Sequence, residues 1–147
     1  MADAEQFARH LRRAFPQARL HVVGRSLGTG VAIQLSARQP VESLQLVTPY
    51  DSMLEVAKKR FPLVPLSLLL RHQFNSLEHS KEVAAKTQVL LAERDDVVLP
   101  ERSRKLIDAW PTPISVETIA GSDHHNIMGL EATWLHLVDF ALTAILP

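Results

Sequence analysis

Short apolar runs alternate with segments of helical periodicity along the whole chain. The apolar runs predict four strands, over residues 20–23, 41–48, 88–92 and 114–119. Helical spacing and helix end signals predict helices over residues 3–15, 29–38, 53–60, 80–85, 100–109 and 129–146. Four strand–helix alternations indicate right-handed βαβ units. We therefore predict an α/β fold, a mostly parallel open sheet of about four strands with flanking helices, in a single domain over residues 1–147.

The first and last predicted helices are amphipathic. Asp3 is a candidate N-cap for the first helix, which carries Phe7 on its apolar side. The closing helix has one apolar face, formed by Leu130, Trp134, Leu137, Ala141 and Ile145. This spacing predicts that the stripe around Trp134 packs in the core.

A candidate nucleophile lies between the first strand and the following helix. The segment Gly24-Arg-Ser-Leu-Gly28 has the small-x-Ser-x-small pattern of a nucleophile elbow, which presents Ser26 on a sharp turn. A close approach of strand and helix predicts that only small residues fit at Gly24 and Gly28. The Leu27 N–H would lie at a helix N-terminus, where it can donate to a developing oxyanion. The alternative for so short a pattern is an ordinary glycine-rich turn.

Acidic and histidine side chains follow later strands. Asp95 and Asp96 come after the third predicted strand, and His124 and His125 come after the fourth. Functional side chains of parallel sheets gather at the carboxyl ends of the strands, and Ser, acid, His is the triad order of α/β-hydrolases. A hydroxyl nucleophile needs an imidazole to accept its proton and a carboxylate to orient that imidazole. The pattern leaves open which member of each pair takes part.

Together these segments resemble the C-terminal half of an α/β-hydrolase, and within that superfamily the BEM46-type serine hydrolases. The resemblance is carried by five segments, residues 24–30, 46–52, 69–76, 91–98 and 121–126. It implies that Asp95 is the triad acid and His124 the base, with Asp96 and His125 as alternatives. The implied activity is cleavage of a small carboxylic ester or thioester through an acyl-enzyme on Ser26, without cofactor or metal.

The same resemblance implies that strands normally found before the elbow are missing here, together with a second oxyanion donor. The apolar strand 20–23 then becomes a sheet edge with no lysine or proline to protect it. We therefore predict a homodimer through this edge strand, or a fragment that needs its missing half. The alternative function is a non-catalytic truncated hydrolase remnant that acts as an interaction or dimerisation module.

Composition restricts the remaining possibilities. Hydrophobic residues make up 46% of the chain, charged residues 22%, and the formal net charge is zero, which gives nucleic acid no electrostatic attraction. The absence of cysteine excludes disulfides and thiolate catalysis.

Adjacent side chains at Asp123, His124 and His125 would point apart, which argues against a metal site. The apolar segment Phe61–Leu70 contains two prolines and is too short to span a membrane. We predict a buried loop there, with part of an acyl-binding wall or lid as the alternative. A polar N-terminus without a signal-peptide pattern predicts a cytoplasmic protein.

Overall fold

The computed structural model describes residues 2–60 and 75–145. The segment 61–70, for which a loop or an acyl-binding wall is predicted, lies outside the described residues. The strands are β1 (His21–Arg25), β2 (Ser43–Val47), β3 (Lys86–Arg94) and β4 (Ser115–Asp123). The helices are α1 (Ala2–Ala14), α2 (Leu27–Arg38), α3 (Met53–Arg60), α4 (Ser76–Ser80), α5 (Pro100–Asp108) and α6 (Glu131–Ile145), with a 3-10 turn at Ile127–Gly129.

The four strands form one parallel sheet in the order β1-β2-β3-β4. This confirms the predicted α/β class and the parallel sheet. In the described part of the chain β1 is an edge strand, and its Val23 side chain is 51% exposed. Every strand enters at the same end of the sheet, so all four carboxyl ends lie along one rim.

The sheet buries apolar side chains on both faces. On one face, Leu46 and Val89 pack with Ile33 of α2 and Leu106 of α5. On the other face, a second apolar cluster contains Val47, Leu90, Ala92, Ile119, Ile127 and Leu137. Burial on two faces explains why all five residues of β2 are buried, the polar Ser43 and Gln45 included.

The predicted helix 80–85 is wrong, because the helix lies earlier, at Ser76–Ser80. Val83 N–H donates to the Ser80 carbonyl in a short turn, so the helical bonding does not continue. Val83 is buried in the core, and the chain must then extend to enter β3 at Lys86. Tertiary packing therefore overrides the local helical pattern here.

Two expectations for the outer helices are also wrong. Helix α1 begins at Ala2, so Asp3 lies within the first turn rather than at the N-cap, where a negative charge is still favourable near the positive end of the helix dipole. Trp134 is 53% exposed, because α6 turns Thr133 and Leu137 toward the sheet instead. The Thr133 hydroxyl donates to the Ile127 carbonyl at 2.6 Å, which fixes that rotation. No helix within residues 2–60 and 75–145 has both the length and the apolarity needed to cross a membrane.

Candidate active site

Three side chains from three strand ends meet at one rim of the sheet. Ser26 follows β1, Asp95 follows β3, and His124 follows β4. The Ser26 Oγ lies 2.9 Å from His124 Nε2. His124 Nδ1 lies 2.9 Å from one Asp95 carboxylate oxygen and 3.0 Å from the other. Serine, imidazole and carboxylate are thus connected in one hydrogen-bonded series.

Ser26 occupies a strained turn between β1 and α2. Its backbone has φ 49° and ψ −121°, a conformation that L-residues seldom adopt. The Ser26 N–H donates to the Val47 carbonyl at 2.9 Å, which holds the turn against β2. Leu27, the first residue of α2, has its N–H among those with no intrahelical acceptor. A strained serine directly before a helix N-terminus is the geometry predicted for a nucleophile elbow.

The two glycines of the elbow differ. A Cβ added at Gly24 would lie 2.7 Å from Ala32 Cβ and 2.8 Å from the Gly28 carbonyl oxygen, so a side chain has no room there. A Cβ added at Gly28 would have no neighbour within 4 Å among the described residues. The prediction that Gly28 must be small is therefore wrong, because the strand and helix approach each other at Gly24.

Burial and hydrogen bonding separate the two candidate acids. Asp95 is 8% exposed, and its Oδ1 accepts the N–H groups of Val97 and Val98 at 3.0 and 2.8 Å. These bonds fix the carboxylate beneath the imidazole. Asp96, the alternative acid, is exposed and lines a neighbouring cleft. The structure therefore brings Asp95, and not Asp96, to Ser26 and His124.

Burial and hydrogen bonding also distinguish the two candidate histidines. His124 is 5% exposed and bonds to both Ser26 and Asp95. His125 is exposed, and its ring meets the His124 ring edge-on with centroids 5.8 Å apart. His125 lines the cleft together with Asp96.

Asp123 and Asn126, for which the sequence predicted no role, hold the turn that carries His124. The Asp123 carboxylate accepts the N–H groups of His125 and Asn126, each at 2.8 Å, and the Asn126 side-chain oxygen accepts the Asp123 N–H at 2.8 Å. These backbone donors, Asn126 first, hold the pKa of Asp123 below its ordinary value. Gly121, with φ 72°, supplies the left-handed residue that precedes the turn. An Asp-x-x-Asn spacing next to the histidine pair is the signal that could have indicated this reciprocal bonding.

A buried tyrosine supports the elbow from the helix side. Tyr50 has no exposed surface, and its hydroxyl donates to the Leu27 carbonyl at 3.3 Å. Burial raises the pKa of Tyr50 to about 12, although a hydrogen bond from the Gly30 backbone opposes the shift. The hydroxyl therefore stays protonated and keeps donating to the first turn of α2 at neutral pH.

A cleft of about 1020 Å³ lies beside the His124 turn, at Asp96 and His125. Its described lining combines apolar residues, Met53, Val56, Ala57, Val97 and Leu99, with charged or polar ones, Glu55, Lys58, Asp96, Glu101, Arg102 and His125. Its volume is sufficient for a small organic molecule. In the described part of the chain, no three His, Asp or Glu side chains cluster in a way that could hold a metal ion.

Similar structures identify the architecture. An esterase of Mycobacterium tuberculosis, Rv0045c, superposes with a TM-score of 0.68 over 97% of this chain and 66% of its own, at 19% identity. An alpha-beta serine hydrolase homologue of Coxiella burnetii gives a TM-score of 0.63 over 97% of this chain and 55% of its own, at 15% identity. The chain has an α/β-hydrolase fold. A carboxylesterase structure from Nitrososphaera gargenis matches this α/β-hydrolase fold with a TM-score of 0.69 over 98% of the chain and 72% of its own, at 15% identity.

Sequence comparison adds a closer but uncharacterized relative. The Mycobacterium tuberculosis protein Rv2307c is 32% identical over 109 residues, which is 74% of this chain. The matched region is 39% of that relative, so the chain aligns with about two fifths of the length of the curated proteins it matches. No family model matches the sequence. The BEM46-type assignment within the α/β-hydrolases stays a prediction.

Proposed function

We propose that this chain carries the catalytic centre of a serine hydrolase that cleaves a small carboxylic ester or thioester through an acyl-enzyme. Ser26 is the nucleophile, His124 the general base and Asp95 the orienting acid. One observation carries the proposal: the 2.9 Å approach of Ser26 Oγ to a His124 ring whose other nitrogen faces Asp95. The solved esterase and hydrolase structures that share the fold support the same class of reaction.

The geometry accounts for the first half of the reaction. Ser26 Oγ attacks the carbonyl carbon of the ester while His124 Nε2 takes the hydroxyl proton. The Asp95 carboxylate accepts a hydrogen bond from His124 Nδ1–H, which fixes the tautomer and stabilises the imidazolium that forms. His124 then returns the proton to the departing alkoxide or thiolate, leaving an acyl group on Ser26.

The second half repeats these roles with water. His124 removes a proton from water, the hydroxide attacks the acyl carbon, and Ser26 Oγ leaves with a proton from His124. The Leu27 N–H, at the N-terminus of α2, is the proposed donor to the oxyanion of both tetrahedral intermediates. Preorganised donors of this kind favour the transition state because they need no rearrangement as charge develops.

A fluorophosphonate probe tests the nucleophile without knowledge of the substrate. Attack by Ser26 Oγ forms an O–P bond, expels fluoride and passes the hydroxyl proton to His124. We expect wild-type protein to be labelled and Ser26→Ala to remain unlabelled, with His124→Ala slower by about a hundredfold or more. Ser115→Ala is the matched control, because Ser115 begins β4 at the opposite rim of the sheet and should label like wild type.

Two outcomes would contradict the proposal. One is equal labelling of wild type and Ser26→Ala. The other is a folded wild type, verified by circular dichroism, that takes up no probe and hydrolyses no p-nitrophenyl ester. The second outcome would favour the alternative function, a non-catalytic interaction module.

We further propose that β1 pairs with β1 of a second copy. Its support is the position of β1 at the edge of the described sheet, with Val23 51% exposed and no lysine or proline within His21–Arg25. Light scattering should then report a dimer at micromolar concentration, and Val23→Lys should shift it toward monomer. A folded, monodisperse wild-type monomer under the same conditions would exclude this assembly.

A further inference from the structure

Arg25 joins the elbow to the turn that carries His124. Its guanidinium Nη2 donates to the His124 carbonyl oxygen at 2.5 Å, across 99 positions of sequence. Arg25 itself is the last residue of β1 and directly precedes Ser26. The contact therefore links the main chain of the proposed base to the residue next to the proposed nucleophile.

The sheet topology explains why His124 needs such a link. Strands β1 and β4 are the two edges of the described sheet, and two strands lie between them. At a spacing of about 4.8 Å, the two strand ends are roughly 14 Å apart. His124 directly follows Asp123, whose last pairing is with Arg94 of β3, so the ladder does not extend to the His124 main chain. The side chains of Arg25 and His124 span the remaining gap to β1.

The end of β4 is itself irregular. Its pairing with β3 shifts register between Ala92 and Arg94, and Gly121 adopts a left-handed conformation at this point. An irregular ladder fixes the following residues less firmly than regular pairing does. The Asp95 bonds fix the His124 ring, whereas the Arg25 bond fixes its main chain.

The positive charge of Arg25 strengthens its hydrogen bond to the His124 carbonyl. A guanidinium is always protonated, and its hydrogen bond to a carbonyl is stronger than one between neutral groups. Within residues 2–60 and 75–145, no Asp or Glu forms an ion pair with Arg25, so the His124 carbonyl is not competing with a described carboxylate.

We propose that Arg25 is a positioning residue that holds the His124 main chain so that the imidazole stays within reach of Ser26. The inference rests on the proposed serine hydrolase function. A misplacement of about 1 Å between reacting groups can reduce a rate by about a hundredfold. Loss of Arg25 should therefore slow the bond-forming step and leave probe binding unchanged.

The test separates binding from chemistry in fluorophosphonate labelling. For Arg25→Met we expect the maximal labelling rate to fall about tenfold or more, while the probe concentration giving half that rate changes less than twofold. Arg25→Lys, which keeps a charged donor, should recover part of the loss. Arg94→Met is the matched control, because Arg94 is also exposed and donates to a carbonyl near the end of β4, that of Gly121 at 3.2 Å. It should label within twofold of wild type.

The His124 carbonyl carbon gives a second, structural readout. Its NMR chemical shift should move in Arg25→Met and stay in place in Arg94→Met. If Arg25→Met does not fold, Arg25→Gln and Arg25→Lys are compared by the same two measurements. An unchanged maximal rate in a folded variant, or a change in probe binding alone, would overturn the inference. Such a result leaves the proposed function intact when wild type is labelled and Ser26→Ala is not. A folded wild type that is neither labelled nor active on a p-nitrophenyl ester contradicts the proposed function itself.

Discussion

Gly24 of β1 and Ala32 of α2 lie in such close contact that a Cβ added at Gly24 would come within 2.7 Å of Ala32 Cβ. This contact sets how near the helix lies to the strand, and hence how sharply the chain turns at Ser26. The positive φ of Ser26 is the local consequence of that turn. The strain at the proposed nucleophile is therefore held by a packing contact elsewhere in the motif.

Gly24→Ala should destabilise the protein by about 1–3 kcal/mol, because the added methyl forces strand and helix apart. Gly28→Ala, with open space around the added methyl, should be neutral or stabilising by up to about 1 kcal/mol. Urea unfolding monitored by circular dichroism measures both. Equal losses of stability in the two variants would show that Gly24 is not the point of close approach.

Asp95→Asn should slow fluorophosphonate labelling by about a hundredfold or more. The Asn oxygen can still accept the Val97 and Val98 N–H groups, but its NH₂ group favours the wrong tautomer of His124. Asp96→Asn is the matched control, since Asp96 is exposed and should label within twofold of wild type. The reverse ranking would assign the orienting acid to Asp96.

Tyr50→Phe should lower the free energy of unfolding by about 1–2 kcal/mol, because it removes a buried hydroxyl that donates to the Leu27 carbonyl. The measurement is again urea unfolding. Val97→Ala, a truncation at a 40% exposed side chain, should cost less. A loss in Tyr50→Phe no larger than in Val97→Ala would show that the hydroxyl contributes little to holding the elbow.

The ionisation of Tyr50 is directly observable, because it is the single tyrosine of the chain. Burial raises its pKa to about 12, so the folded state keeps the proton where the unfolded state, with a pKa near 10, releases it. The stabilisation is full below about pH 10 and is lost as pH rises toward about 12. Tyrosinate absorbance should show a midpoint near 12 in the folded protein, and a midpoint near 10 in folded protein would contradict the buried placement.

The sequence predicted the sheet, the parallel direction of its strands and the segments that supply Ser26, Asp95 and His124, because these depend on local patterns. An apolar run marks a buried strand, and small residues around a serine mark a sharp turn. It did not separate Asp95 from Asp96, since neighbouring residues share one loop and differ only in the direction of the side chain. Burial and the Val97 and Val98 N–H groups decide between them in the structure.

The core placement of Trp134 proved wrong because a side chain bonds to a backbone carbonyl that no periodic pattern indicates. Trp134 has helical spacing for the core, but the rotation of α6 is set by a hydrogen bond between Thr133 and the Ile127 carbonyl. The roles of Arg25 and Tyr50 were missed for the same reason. Each side chain donates a hydrogen bond to a backbone carbonyl, and a sequence motif does not indicate which carbonyl will lie nearby.

The His124 turn should loosen in acid because of Asp123. Hydrogen bonds from the Asn126 and His125 backbones lower its pKa below the ordinary 3.8, so its contribution to the turn is full above about pH 3.8 and is lost as pH falls through the lower folded value. The amide resonances of His125 and Asn126 should titrate with a midpoint below 3.8, while circular dichroism shows that the chain remains folded. Asp123→Asn keeps the acceptor oxygen but cannot titrate, so its two amide resonances should not follow this transition. A wild-type midpoint at or above 3.8, or the same transition in Asp123→Asn, would show that another group controls the turn.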